Sequence, residues 1–246
     1  MQLPFIPDHA RSMALSHGFS DDFQGFLTAS STDKYTVVTV TDGSALQIDT
    51  TPGGVAIKSA VASAAGDEDC YLVREAETFL FTGRPLEFEA LVQATEDDVN
   101  QNNLIVGLTN AAAADLLVTA GAGPKTSGNT IAFYKVDGGL NWWVHGRDDG
   151  DTTVFSIELT AANSLDKVAH VGSGASYQKL NIKMLARTST VGDIIFSIDD
   201  VPVYKYTGFL LSGNTDVQAV CGCKDGDAGD ETTINLRYWW CYQSRN

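Results

Sequence analysis

Leu86-Glu87-Phe88-Glu89-Ala90-Leu91-Val92 decides the fold class. Leu86, Phe88, Ala90 and Val92 recur at every second residue with Glu87 and Glu89 between them, the period of a strand that buries one face and wets the other. The pattern returns at residues 180–186, where Leu180, Ile182, Met184 and Ala186 oppose Asn181, Lys183 and Leu185. At residues 233–242 the same alternation sets Ile234, Leu236, Tyr238, Trp240 and Tyr242 against Thr233, Asn235, Arg237, Trp239 and Cys241. Burial of a single face per strand is the habit of antiparallel sheets.

Working outward, short stretches rich in β-branched and aromatic residues recur from about residue 35, separated by clusters of Gly, Asp, Asn and Ser. They predict strands over 35–40, 45–48, 55–58, 70–74, 79–81, 86–93, 104–109, 131–136, 142–144, 152–158, 178–186, 194–198, 203–206, 217–223 and 233–242. Many short strands at such spacing specify an all-β sandwich or barrel. Helices are expected only as short pieces, over 110–118 with its Ala run and over 160–166, and residues 120–129 read as a flexible surface loop. There is no interdomain linker and no repeat of fixed period. Residues 1–30 carry Pro4, Pro7 and scattered aromatics without a period, so they are expected to form an extended arm preceding a domain over 31–246. Such an arm must lie either on its own domain or on a neighbouring chain. Phe5, Ile6, Phe19, Phe23 and Phe26 are its candidate partner-binding residues.

A chain of 246 residues, 43% hydrophobic and 19% charged, is long enough to bury a continuous core. Sixteen Lys and Arg against 31 Asp and Glu give a net charge of −15, which repels phosphate backbones and argues against nucleic acid as a direct partner. No apolar run of about 18 residues exists to span a bilayer. The opening Met1-Gln2-Leu3-Pro4-Phe5-Ile6-Pro7-Asp8-His9 lacks the basic and apolar regions of a secretion signal, so synthesis and folding in a cytoplasm are expected. Cys70, Cys221, Cys223 and Cys241 are too few for a disulfide framework and are expected as free thiols.

Catalytic constellations are missing. Gly172-Ser173-Gly174-Ala175-Ser176 lacks the spacing of a nucleophile elbow, and there is no phosphate-binding loop or dinucleotide fingerprint. His9, His17, His145 and His170 are too dispersed for the usual metal spacing. Cys221 and Cys223 would share one face of a strand, which suits core packing better than tetrahedral zinc. Glu87 and Glu89 share a face in the manner of β-sandwich glucanases but lack the third acid, so no enzyme is expected. Asp225-Gly226-Asp227-Ala228-Gly229-Asp230-Glu231 has the composition of a calcium loop without its spacing. Hairpin turns use the same residues, so Asp225, Asp227 and Asp230 are candidate Ca²⁺ ligands set against a plain solvated turn. Trp142-Trp143 and Trp239-Trp240 each put adjacent indoles on opposite faces. Trp143 and Trp239 are the candidate surface aromatics, able to stack on a sugar or to anchor a protein interface.

Residues 176–183, followed by Ile194-Ile195-Phe196-Ser197-Ile198-Asp199-Asp200-Val201-Pro202-Val203-Tyr204, resemble the late hairpin of concanavalin A-like (laminin-G-like) jelly rolls, with Asp199-Asp200 where those domains carry Asp-Gly. Residues 233–240 resemble their last strand, and the resemblance spans roughly residues 35 to 242. It implies an antiparallel jelly-roll β-sandwich. A second resemblance runs through residues 13–23, 85–90, 103–110 and 133–139, which are similar to proteins encoded in the head modules of tailed bacteriophages. It implies a non-enzymatic virion structural protein, a head decoration (cement) protein that binds the major capsid protein and copies of itself on the capsid surface. The alternative expectation is a carbohydrate-binding or host-adhesion module that uses Trp143 or Trp239 with a Ca²⁺-organised loop.

Overall fold

A computed structural model describes residues 16–23, 35–39, 45–49, 54–59, 69–74, 78–80, 84–96, 102–112, 116–118, 123–125, 128–148, 155–210, 216–225 and 232–244. Within them the chain runs through strands β1 (Ser16–Asp21), β2 (Thr36–Thr39), β3 (Ala45–Asp49), β4 (Gly54–Lys58), β5 (Asp69–Val73), β6 (Phe79–Leu80), β7 (Leu86–Glu96) and β8 (Asn102–Thr109). It continues through β9 (Thr130–Lys135), β10 (Trp143–Arg147), β11 (Phe155–Glu158), β12 (Gln178–Ala186), β13 (Val191–Ile198), β14 (Val201–Leu210), β15 (Asp216–Asp225) and β16 (Thr232–Ser244). One sheet has the order β14-β13-β12-β7-β16-β4-β3, with β1 also on β16; the other has β11-β10-β9-β8-β15-β5-β2, with β6 also on β15. The two stack face to face around a core that includes Phe88, Ile182, Phe196, Phe133, Val106 and Cys221. No helix occurs among the described residues.

Every stretch expected as a strand has a counterpart here, while β1 falls inside the expected arm and corrects it. Ser16 to Asp21 pair antiparallel with Ser244 to Trp239. Phe19 and Phe23 are only 5% and 2% exposed, so these two expected partner-binding residues belong to the protein's own core. Residues 1–15 and 24–34, with Phe5, Ile6 and Phe26, lie outside the described residues.

The alternation expected for residues 233–242 holds only to Leu236. Leu236 faces Val92 and Tyr238 faces Leu91, so Arg237 is an extra residue, a β-bulge. One added residue inverts the facing of all that follows. Trp239 and Cys241 turn into the core, while Tyr238 and Tyr242 take the outer face. Gly54 meets the bulge. Its φ of +140° is one that residues with a Cβ rarely adopt, and a Cβ there would stand 2.6 Å from the Leu236 carbonyl oxygen.

Trp239 then becomes the hub of an aromatic cluster. The ring centroids of Phe19, Phe23 and Tyr35 lie 5.6, 6.1 and 5.9 Å from it. The Arg74 guanidinium lies between the Phe19 and Tyr35 rings, 5.1 and 4.9 Å from their centroids.

The short helices are also replaced. Val118 and Lys125 donate to the carbonyls of Gly123 and Leu116, so residues 116–118 and 123–125 lie paired side by side. Leu116 and Leu117 cover Tyr71, Ile105, Ala132 and Val220 on the outer face of the second sheet, and the Leu117 N–H donates to the Tyr71 hydroxyl. Gly123 and Pro124, expected in a flexible loop, are buried. Residues 160–170 form a series of turns held by bonds such as Ser164 N–H to the Thr160 carbonyl. The four cysteines are free and buried.

Candidate functional site

Strand β10 is buried on one face by Val144 and presents Trp143, His145 and Arg147 on the other. Its neighbours complete that outer face: Tyr134 of β9 stands opposite Trp143, and Ser156 and Glu158 of β11 stand opposite His145 and Trp143. Asn141, two residues before Trp143, forms an isolated antiparallel bridge with Val171, so Val171 is brought to the same face from the turns after β11.

The side chains interlock. Asn141 Nδ2 donates to Glu158 Oε1 at 2.9 Å. The Tyr134 ring lies 5.7 Å from Trp143 and 5.9 Å from His145, and its hydroxyl reaches Ser156 Oγ at 2.5 Å. Tyr134 therefore runs diagonally across β10 between the indole and the imidazole. Gly123 rests close against that ring, where a Cβ would stand 2.9 Å from Cε2. Burial pushes the Tyr134 hydroxyl up to about 12.

His145 lies beneath this arrangement at 3% exposure, and neither ring nitrogen has a hydrogen-bond partner in the protein. Burial, with Arg147 alongside, lowers its pKa to about 4 and keeps the imidazole neutral. The Trp143 N–H is likewise without a partner, although the ring as a whole is half-buried. Trp142, Trp239 and Trp240 are all buried, so Trp143 is the tryptophan that presents an aromatic surface outward.

The other expected site residues separate from this face. Trp239 is wholly buried, because the bulge at Arg237 reverses its side of the strand. Asp225 ends β15, and Asp227 and Asp230 lie outside the described residues. Among the described residues no three His, Cys, Asp or Glu side chains converge as a metal site would require. Glu87 and Glu89 sit on the outer face of the first sheet. There Glu89 Oε1 accepts from Tyr238 and Trp240, and Asn181 bridges Glu87 and Glu89. Burial raises the Glu89 pKa despite those donors.

Sequence reasoning found Trp143 but missed Tyr134, Asn141, Glu158 and Val171. Alternation along β10 could have tied Asn141 and His145 to Trp143. The cross-strand register that adds the others has no local signal.

No family model and no curated protein matches the chain. Solved structures do. The carbohydrate recognition domain of Emp47p shares 7% identity at a TM-score of 0.58, covering 94% of this chain and 97% of its own. Lectin II from Ulex europaeus shares 12% at a TM-score of 0.59, covering 93% and 98%. A protein of unknown function from Shewanella oneidensis shares 13% at a TM-score of 0.55, covering 100% and 97%. At such identities the likeness is one of fold: the protein is a concanavalin A-like β-sandwich of the kind seen in lectins.

Proposed function

We propose that the protein is a carbohydrate-binding β-sandwich module that holds a glycan without transforming it. The observation that carries this reading is Trp143, an outward indole with the bonded Asn141–Glu158 pair beside it on one sheet face. A sugar ring has apolar C–H faces that pack on an aromatic ring and hydroxyls that need fixed donors and acceptors, and this face offers both. The fold shared with lectin domains supports the reading.

A glycan array probed with the full chain, with and without chelator, tests it. Specific binding that Trp143→Ala abolishes, in a variant that still unfolds cooperatively at the wild-type midpoint, is the expected result. Binding unaffected by Trp143→Ala would place the site elsewhere, and chelator sensitivity would bring the acidic segment of Asp225, Asp227 and Asp230 into it. The head-decoration reading, with a major capsid protein as partner and a virion location, rests on sequence resemblance alone. It draws no support from Phe19 and Phe23, which serve the core.

A further inference from the structure

Around Trp143 four side chains mark out a small rectangle on the outer face. Trp143 and Glu158 are directly opposite one another on β10 and β11, and Asn141 and Val171 are opposite one another on the next rung of the same face. Directly opposed residues of antiparallel strands have Cβ atoms about 5 Å apart, and successive same-face rungs are about 7 Å apart. The hydrogen bond from Asn141 to Glu158 crosses the diagonal. Val171, at the remaining corner, is 43% exposed although it is a large apolar residue, and Leu140 beside it is 50% exposed. An indole, a carboxylate, a carboxamide and an aliphatic side chain thus meet within the area of one sugar ring and its substituent.

Resting on the carbohydrate reading above, we propose that this site selects acetamido sugars, the N-acetylhexosamines, over their hydroxyl counterparts. Each part of an acetamido group has a partner in the rectangle. Its N–H is a donor, and the carboxylate of Glu158 is an acceptor with a second oxygen beyond the one that Asn141 uses. Its carbonyl is an acceptor, and the Asn141 amide nitrogen has a second proton to give. Its methyl is apolar and covers Val171, which water otherwise wets. A hydroxyl in the same place could meet the carboxylate but offers neither the carbonyl nor the methyl. An anionic sugar would bring a carboxylate toward Glu158 on a chain of net charge −15. The selected ligand is therefore neutral.

Titrating the intact chain with N-acetylglucosamine and N-acetylgalactosamine against glucose and galactose, followed by ligand-observed NMR, tests the proposal. The acetamido sugar of at least one pair should bind about tenfold more tightly or better, the discrimination that one methyl-sized contact with its hydrogen bonds supplies. Val171→Ser should lower that ratio by about threefold or more, in line with a lost methyl contact. Val168→Ser, an even more exposed apolar position on the same turns, should leave the ratio where it was. Equal binding within both pairs, a ratio that survives Val171→Ser, or a preference for sugars bearing carboxylates would overturn the selectivity while leaving glycan binding intact. Failure to bind any of the four sugars and any arrayed glycan would remove the carbohydrate reading together with it.

Discussion

The hydroxyl of Tyr35 donates to Oδ2 of Asp21 at 2.5 Å, while Oδ1 of the same carboxylate accepts the N–H of Phe23. Two parts of the chain separated in sequence are thus fastened to one side chain at the end of β1, directly over the Trp239 cluster. Asp21→Ala should destabilise the fold by about 1–3 kcal/mol, because the Tyr35 hydroxyl and the Phe23 amide lose a charged acceptor in a part-buried setting. Phe19→Ala should cost more, about 3–5 kcal/mol, as a large core ring is removed. Urea denaturation checks both. If Phe19→Ala left the midpoint unchanged, β1 would be a detachable arm after all.

Gly54 and Arg237 form the second fastening, and here backbone geometry rather than side-chain chemistry sets the outcome. Gly54→Ala must hold an L residue at φ +140° with its Cβ pressed on the Leu236 carbonyl, for which about 1–3 kcal/mol of strain is expected. Deleting Arg237 removes the bulge but leaves Leu236, Trp239 and Cys241 on the core side, because Leu236, Tyr238 and Trp239 already face Val92, Leu91 and Ala90 in unbroken order. The deletion variant should therefore keep a cooperative thermal transition, at a midpoint lowered by loss of the local bend that Gly54 fits. Arg237→Ala, which keeps the residue count, should unfold close to wild type; a deletion variant without a transition would show that the bulge itself is needed for the fold.

That bulge also marks where the sequence stops being legible. Alternation at residues 86–92 and 180–186 is uninterrupted in the structure, so period alone identifies those strands and their buried faces. Past Leu236 the period is still two, but its phase has slipped by one residue, and nothing local to Arg237 announces the slip. Phe19 and Phe23 were unreadable for a related reason: β1 has too few apolar residues to show a period, and its burial depends on pairing with the far end of the chain. Residues 110–118 read as helical because alanines have high helix propensity, yet Leu116 and Leu117 instead lie over the apolar face of Tyr71, Ile105 and Val220, a contact that only the folded sheet provides. At the candidate site, Trp143 was visible as an indole with an indole neighbour. Its partners come from β9, from β11 and from the turns after β11, and only three-dimensional register assembles them.

The β13–β14 hairpin offers a stabilising change. Asp199 and Asp200 adopt φ values of 50° and 68°, the two left-handed positions of a type I′ turn, for which Gly at the second site is strongly preferred. Asp200→Gly should raise stability by about 0.5–1 kcal/mol by relieving that conformation. The ion pair it gives up, to Lys179, involves an aspartate 76% exposed and is worth little. A rise in thermal midpoint would bear this out, and a fall would mean that the Lys179 contact outweighs the backbone strain.

His145 gives the protein a pH dependence of definite sign. Its pKa is about 4 in the folded state and about 6.5 when unfolded, so between those values the unfolded chain binds more protons than the folded one. Stability contributed by the neutral imidazole is complete above pH 6.5 and is lost as pH falls through the window toward 4, at up to about 1.4 kcal/mol per pH unit. Between pH 7 and pH 5 the loss from this group amounts to about 2 kcal/mol. Glu89 acts in the opposite sense, since its raised pKa lets the folded state keep a proton that the unfolded chain releases. Urea titrations at both pH values should therefore be run on Glu89→Gln and on Glu89→Gln combined with His145→Phe. The single variant should lose stability on acidification, and the double variant should lose distinctly less. Identical losses in the two would show that His145 is not held neutral beneath Tyr134.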